Sequence, residues 1–377
     1  MNRWRLITDD NVHGADGLAF DEALAAGYGR NGDDALPTLR LYTYHDHSAL
    51  CGRYQNLQAE IDIEACDRTG TVYNRRPTGG GAIVMGEGQL GVAVATRAPT
   101  ADHPKVLLRR FSDGIVAGLA KLGVDAEFAG KNDLKVNGRK IAGLGLYLDG
   151  AGGLLFHSSV LADLDIAFML DVLDTPASKL GAAGVEAVAE RVTTVTRETG
   201  LPWTGSTLRE VIAVGFSEAL DIDLQEAEPS SDELDRAEVL VDDRYATDEW
   251  RLQRSPRSDT TGSAVLRTPA GFVRLYLSMN GDMIKSALFT GDFNTLPEPL
   301  AALEAGLKWT RASRDQLLRV AEVTCGPDTG LGISPDMVID AVIEAAEQVA
   351  ARTRAAPDIE GSCYFPDRDN QGRGLVR

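Results

Sequence analysis

The sequence predicts a mixed α/β protein, and three observations carry that expectation. Strand-like apolar segments recur between residues 38 and 161, and a run with helical spacing interrupts them. Two Asn-Gly pairs, Asn137-Gly138 and Asn280-Gly281, each stand between strand-like arms, as hairpin turns do. The length of 377 residues suggests two domains or more.

Taken in order, Thr38–Tyr44 (TLRLYTY) alternates apolar and polar residues, which predicts a half-buried strand. A second strand, TVYN, runs into Arg75-Arg76-Pro77-Thr78-Gly79-Gly80-Gly81. Leu90–Thr96 (LGVAVAT) is continuously apolar and predicts a buried strand. From Leu107 to Leu122, apolar residues recur at helical spacing until Gly123 ends the run. Asp133–Ala142 reads as a hairpin about Asn137-Gly138, in the composition favoured by a type I′ turn, and Leu154–Leu161 as another strand. Helices are expected over Ile166–Leu173 and Gly205–Ala219. Gln225–Asp235 (QEAEPSSDELD) reads as a linker or a helix start. Strands follow at Ser263–Thr268, Gly271–Ser278 and Met283–Phe289, then helices at Glu298–Gly306, Arg314–Glu322 and Pro335–Arg352. The remainder, from Ala356, is rich in Asp, Arg and Gly and contains Cys363-Tyr364-Phe365-Pro366.

Composition narrows the function classes. With hydrophobic residues at 44% and charged residues at 25%, the chain can build ordinary packed cores. The formal net charge of −18 repels phosphate backbones and anionic headgroups, which argues against nucleic acid or a membrane surface as the main partner. An anionic ligand therefore needs a local cluster of positive charge. Cys51, Cys66, Cys325 and Cys363 show neither CxxC nor zinc-finger spacing. The start MNRWRLITDDN has no apolar signal-peptide core and no run approaches 18 apolar residues, so the expected location is the cytoplasm.

Residues 75–82 hold the strongest local signal. Three consecutive glycines let backbone N–H groups converge on an anion, and Arg75 and Arg76 supply fixed positive charge. The alternative is a structural Gly-rich turn with flanking charges. The pattern is neither a Walker A loop nor a dinucleotide-binding fingerprint. In the second constellation, Lys131-Asn132-Asp133 and Lys140 lie on opposite arms of the proposed hairpin, so Asp133 and Lys140 could face one cleft. An Asp can hold Mg²⁺ together with nucleotide phosphates, and a Lys can neutralise phosphate charge. His157, inside LLFHSSV, reads either as a ligand contact or as a satisfied core histidine.

Together these segments resemble the lipoate–protein ligase branch of the biotin/lipoate ligase superfamily. The carrying motifs are Trp4–Thr8 with Asp16–Leu24, Arg75–Ala82, Gly130–Leu134, Gly138–Gly143, His157–Leu161 and Arg191–Thr193. Beyond residue 235, Tyr245–Trp250, Ser255-Pro256, Asn280-Gly281 and Gly291-Asp292-Phe293 are similar to the family's accessory-domain motifs. The resemblance implies a mixed-sheet catalytic domain over residues 1–225, a smaller α/β accessory domain over 235–352 and a tail over 353–377.

It also implies ATP-dependent activation of lipoate, followed by transfer of the lipoyl group to a lysine of a carrier protein such as a lipoyl domain or an H-protein-like carrier. The implied catalytic residue is Lys140. Lipoate and lipoyl-AMP would contact Arg75, Arg76, Thr78, Gly79, Gly80, Gly81, Ala82, Lys140, Gly143 and His157, while Asn132 and Asp133 would hold ATP and Mg²⁺. The enzyme is expected to be a monomer.

Three departures from the family pattern stand out. Met85-Gly86 replaces a His-Asp pair, Ser158 replaces a glycine, and Gly361–Arg377 has no counterpart. The nearest rival reading is an octanoyltransferase of the same superfamily, whose cysteine-dependent types carry a nucleophile shortly before the lysine motif; Phe128–Asp133 has none. A biotin ligase fits less well, because its G-R-G-R-x-G loop is missing. A non-catalytic lipoyl-binding protein is the reading from outside enzymology.

Overall fold

The computed structural model describes residues 2–30, 35–99, 103–175, 177–256, 260, 262–269, 271–327 and 329–355. The tail from 356, with Cys363, lies outside the described residues. The chain divides into two compact units. Among the described residues, the first takes those within 2–256, 267–273 and 290–298, and the second those within 260–266, 274–289 and 299–355.

The first unit opens with β1 (Asn2–Val12), α1 (Gly14–Arg30), β2 (Thr38–Tyr44) and β3 (Ser48–Cys51). Next come α2 (Leu57–Glu60), α3 (Ile63–Thr69), β4 (Val72–Arg75), β5 (Ile83–Met85), β6 (Gln89–Arg97) and α4 (Pro104–Ala120). The hairpin strands β7 (Glu127–Ala129), β8 (Asp133–Val136), β9 (Arg139–Leu148) and β10 (Gly153–Leu161) follow. Then come α5 (Ile166–Val172), α6 (Ala182–Ala189), α7 (Val195–Thr199), α8 (Gly205–Leu220), β11 (Ile222–Glu226), α9 (Ser231–Leu240) and α10 (Asp248–Arg251).

Eight strands form one mixed sheet in the order β11-β1-β2-β6-β10-β9-β8-β7. β1 pairs in parallel with both β11 and β2, whereas β2–β6, β6–β10 and β10–β9 are antiparallel. Successive side chains of a strand point to opposite faces. Leu39, Leu41, Val92, Val94 and Phe156 therefore share one core with Phe111, Ile115, Leu208 and Phe216 of α4 and α8. The other face, with Tyr42, Tyr44, Ala93 and Leu155, packs against Leu18 and Ala19 of α1. This two-sided cover corrects one sequence expectation: β2 is buried along its whole length, not half-buried. Its alternate polar residues face α1 and pair there instead of meeting water.

The Asn137-Gly138 turn forms as expected, with φ of 50° and 80°, the left-handed pair that a type I′ turn requires. Gln225–Asp235 is not an open linker. It holds the end of β11 and the start of α9, where Ser230 and Glu233 form a capping box.

A smaller sheet, in the order β4-β3-β5, carries the Gly-rich segment. β3 pairs in parallel with β4 and antiparallel with β5, so residues 76–82 loop from one edge strand to the other.

The second unit takes most of β12 (Gly262–Thr268), β13 (Gly271–Asn280) and β14 (Met283–Gly291), together with α11 (Glu298–Leu307), α12 (Arg314–Thr324) and α13 (Pro335–Ala355). Leu300, Leu303, Leu307, Leu317, Val338 and Val342 are buried there.

Candidate active site

A hollow opens on the α1 face of the large sheet because small residues line that face. Gly91 and Ala93 of β6 share it with Gly143 and Gly145 of β9 and with His157 and Ser159 of β10. A Cβ on Gly91 would come within 2.7 Å of the Tyr42 ring, and one on Gly145 within 3.0 Å of Thr78. The cavity holds about 660 Å³, its open mouth included. Its apolar wall comes from Leu18, Leu50, Ile83, Met85 and Leu144, and its polar wall includes Thr78, Asn132, Lys140, His157 and Ser159. Met85 is buried and adds an apolar face where the resemblance implies a polar pair.

Gly79, Gly80, Gly81 and Ala82 line the same cavity. Gly80 has φ 95°, a left-handed conformation that favours glycine. Its N–H donates to the Phe293 carbonyl at 2.9 Å, and a Cβ on Gly79 would meet that same oxygen at 2.1 Å. The loop is also held from below. Arg76 is buried and donates to the carbonyls of Leu50, Gly79 and Gly81 at 3.0, 2.8 and 2.7 Å. Burial pushes its pKa down to about 10, so it stays charged at neutral pH.

The structure does not bring Arg75 into the cavity. Its guanidinium is fully buried and donates to the carbonyls of Gly52, Arg53, Gln55, Trp250 and Arg251. The Trp250 indole N–H returns a bond to the Arg75 carbonyl at 2.8 Å. Gln55 accepts from Gly52 N–H and donates to Asp292 at 2.7 Å, so Asp292 is held over Gly81.

The β8–β9 hairpin brings its two charged residues together. Lys140 Nζ lies 2.8 Å from Asp133 Oδ1, and both side chains are partly exposed. The pairing register shifts between Leu134 and Lys135, which sets Lys140 opposite Lys135 while Asp133 stays opposite Gly143. Asn132 donates to the Leu144 carbonyl at 2.9 Å, which leaves its side-chain oxygen to accept. Lys140 and Gly143 line the same cavity as the glycine loop.

A buried ionic network stands at His157. Its Nε2 lies 2.5 Å from Asp21, which also accepts from Tyr42 at 2.8 Å and from Arg40 at 2.8 Å. Arg40 reaches on to Asp9 at 2.6 Å. Sequence reasoning did not single out Asp21, Arg40 or Tyr42. The available signal was Asp21 itself, a carboxylate set among Leu18, Ala19, Phe20, Ala23 and Leu24 on the buried side of α1.

Cys51 lies below the loop and Cys66 in the same small subdomain; both are buried, and burial pushes each thiol up to about 11.

Comparison with known proteins bears on the family and the fold. The family described as lipoyl protein ligase A/B catalytic domain matches residues 13–217, more than half of the chain. Octanoyltransferase LipM of Symbiobacterium thermophilum is 28% identical over 274 residues, covering 67% of this chain and 98% of that protein. The bipartite lipoate protein ligase of Thermoplasma acidophilum, described with its E2 lipoyl domain, superposes with a TM-score of 0.60 at 28% identity, over 67% of this chain and 96% of its own. A crystal structure of lipoate-protein ligase A bound with ATP gives a TM-score of 0.58 at 28% identity, over 67% and 99%.

Proposed function

Because the chain belongs to the lipoyl protein ligase A/B catalytic-domain family, we propose that it is an ATP-dependent lipoate–protein ligase. The observation that carries this reading is Lys140, set beside Asp133 on the wall of the cavity that the glycine loop also lines. The cysteine positions support it: none occurs between Cys66 and Cys325, so no thiol stands shortly before the lysine hairpin, where the cysteine-dependent octanoyltransferases carry their nucleophile.

In the first step an oxygen of the lipoate carboxylate attacks the α-phosphorus of ATP. A P–O bond forms, and pyrophosphate leaves with the electron pair of the bond that breaks. Two unit charges about 4 Å apart repel by about 4 kcal/mol at an effective dielectric of about 20. The Lys140 ammonium, moved off Asp133, sits between carboxylate and phosphate and offsets that repulsion. In the second step the ε-amine of the carrier lysine attacks the acyl carbon; the C–N bond of an amide forms, the acyl C–O bond breaks to release AMP with its electron pair, and the nitrogen gives one proton to solvent. The acyl chain lies against Leu18, Leu50, Ile83, Met85 and Leu144, each buried methylene contributing about 0.8 kcal/mol. Arg75 acts through loop shape, its guanidinium surrounded by backbone carbonyls, whereas Arg76 both braces the loop and lines the cavity.

One carboxylate beside a lysine fits Mg²⁺, an ion usually held by one or two carboxylates and otherwise by nucleotide phosphates and water. Asp133 would hold it, with the Asn132 side-chain oxygen nearby, and it would neutralise phosphate charge. Likeness to the Thermoplasma ligase supports a lipoyl domain as the carrier. Among the described residues no helix is long and apolar enough to cross a membrane, and we assign the enzyme to the cytoplasm.

ATP–pyrophosphate exchange, run with lipoate, octanoate and biotin in turn, tests the proposal. Lipoate-dependent exchange supports it; silence with all three acids sinks it. The likeness to octanoyltransferase LipM favours a second reading, ATP-independent transfer from octanoyl acyl carrier protein. That reading requires octanoyl transfer to a lipoyl domain with ATP omitted.

A further inference from the structure

We propose that His13, His45 and Asp46 form a surface site for a divalent transition-metal ion, of zinc-like preference. The site is separate from the cavity and independent of the ligase reading.

The backbone sets two of the ligands side by side. Val12 pairs with Tyr44 at the ends of the parallel strands β1 and β2, so the next residues, His13 and His45, leave the sheet together. Three hydrogen bonds pin this platform. His45 N–H donates to the Val12 carbonyl at 3.0 Å, Gly17 N–H to the His13 carbonyl at 2.9 Å, and Val72 N–H to the His47 carbonyl at 2.9 Å. Asp46 is therefore held between two anchored neighbours.

The side chains converge above that platform. The two imidazole rings lie 5.0 Å apart between centroids. Asp46 offers one oxygen 2.9 Å from His45 Nδ1 and the other 3.7 Å from His13 Nδ1. One ligand atom from each residue lies within 4.8 Å of the other two. Zinc bonds to nitrogen and carboxylate oxygen are about 2.0–2.2 Å, which puts tetrahedral ligands about 3.3 Å apart. All three side chains are exposed, so χ rotation alone can close the remaining gap. Two imidazoles and one carboxylate suit Zn²⁺, Co²⁺, Ni²⁺ or Cu²⁺, whereas Mg²⁺ and Ca²⁺ take oxygen donors. Water completes the shell. An ion there ties the start of α1 to the end of β2.

Titration of the untagged full chain with ZnCl₂ by calorimetry tests the site, with Co²⁺ absorption reporting the ligand field. The expected result is one zinc per chain. Affinity should fall about tenfold or more in His13→Ala and in Asp46→Asn, with unchanged circular dichroism. Asp133→Asn, which alters the cavity carboxylate, should leave that zinc in place. Absence of zinc binding overturns the proposal. So does binding that survives His13→Ala, His45→Ala and Asp46→Asn, or binding that is lost in Asp133→Asn.

Discussion

Nε2 of His157 lies 2.5 Å from Oδ2 of Asp21 and so joins the cavity wall to the buried side of α1. The Asp21 carboxyl is held below the usual carboxylate range. Burial alone would push it up, but Arg40 and then His157 outweigh burial. An ionised Asp21 requires Nε2 to be the protonated ring nitrogen, which leaves Nδ1 for the other side of the ring. Asp21 thus orients His157 and anchors Arg40 together.

Replacing that carboxylate should be costly. In Asp21→Asn the Arg40 guanidinium stays buried with one ionic partner, Asp9, where it had two. Breaking a buried pair by removing one partner costs about 3–5 kcal/mol, and the surviving Asp9 contact puts this case at the lower end, about 3 kcal/mol. Urea unfolding of the two proteins measures it. A loss below about 1 kcal/mol would mean that the network is incidental to stability.

The same pair fixes a pH dependence. The folded-state pKa of Asp21 is depressed, so its contribution to stability is fully present above the unfolded carboxylate pKa, about 3.9. It is lost as the pH falls from there through the folded value. The wild type should therefore lose stability below about pH 4 more steeply than Asp21→Asn. Urea midpoints at pH 3, 4 and 6 compare the two, and parallel profiles would refute the assignment.

Much of the large sheet was legible because its determinants are local. Leu90–Thr96 has no polar residue before its last position, and Asn137-Gly138 can hardly be anything but a tight turn. Lys140 and Asp133 came from the same hairpin logic. What stayed hidden depends on distant partners. Arg75 looks like an anion ligand in the sequence, but the fold surrounds it with carbonyls from Gly52, Gln55 and Trp250, while its neighbour Arg76 lines the cavity. β11 was unreadable because an edge strand, paired on one side by β1, needs little apolar patterning.

The glycine loop should tolerate little. A Cβ on Gly52 would fall 1.9 Å from the Gly80 carbonyl oxygen, a backbone atom that cannot rotate away. Gly80→Ala meets a different obstacle: its φ of 95° costs an L-residue about 1–2 kcal/mol, and its Cβ would lie 3.0 Å from Arg76. Gly52→Ala should displace the loop and abolish lipoate binding measured by calorimetry. Gly80→Ala should weaken binding while the protein stays folded.

The thiols should be silent in the native state. At pH 8 a thiol with pKa near 11 is almost wholly protonated, and the protonated form is a poor nucleophile. Iodoacetamide should leave Cys51 and Cys66 unmodified in peptide maps of the folded protein and alkylate both in urea. Cys51→Ala should keep turnover within about threefold, since a small buried residue replaces another. A collapse of turnover in Cys51→Ala with the fold intact would point to thiol chemistry and to the transferase reading.

Lys140 and Asp133 separate charge from geometry at the cavity wall. Lys140→Ala removes the only positive group proposed to lie between two anions, and loss of one such stabilising contact typically costs about 10²–10³ in rate. Lys140→Arg keeps the charge, but its planar guanidinium is larger and favours a fork on Asp133, so it should recover only a part. Asp133→Asn frees the lysine from its 2.8 Å ion pair while weakening any hold on Mg²⁺. That variant should therefore raise the Mg²⁺ concentration needed for half-maximal exchange more than it lowers the rate at saturating Mg²⁺. Steady-state pyrophosphate exchange across a Mg²⁺ series distinguishes the two effects. A rate loss in Asp133→Asn that excess Mg²⁺ leaves untouched would assign Asp133 to positioning Lys140 instead of holding the ion.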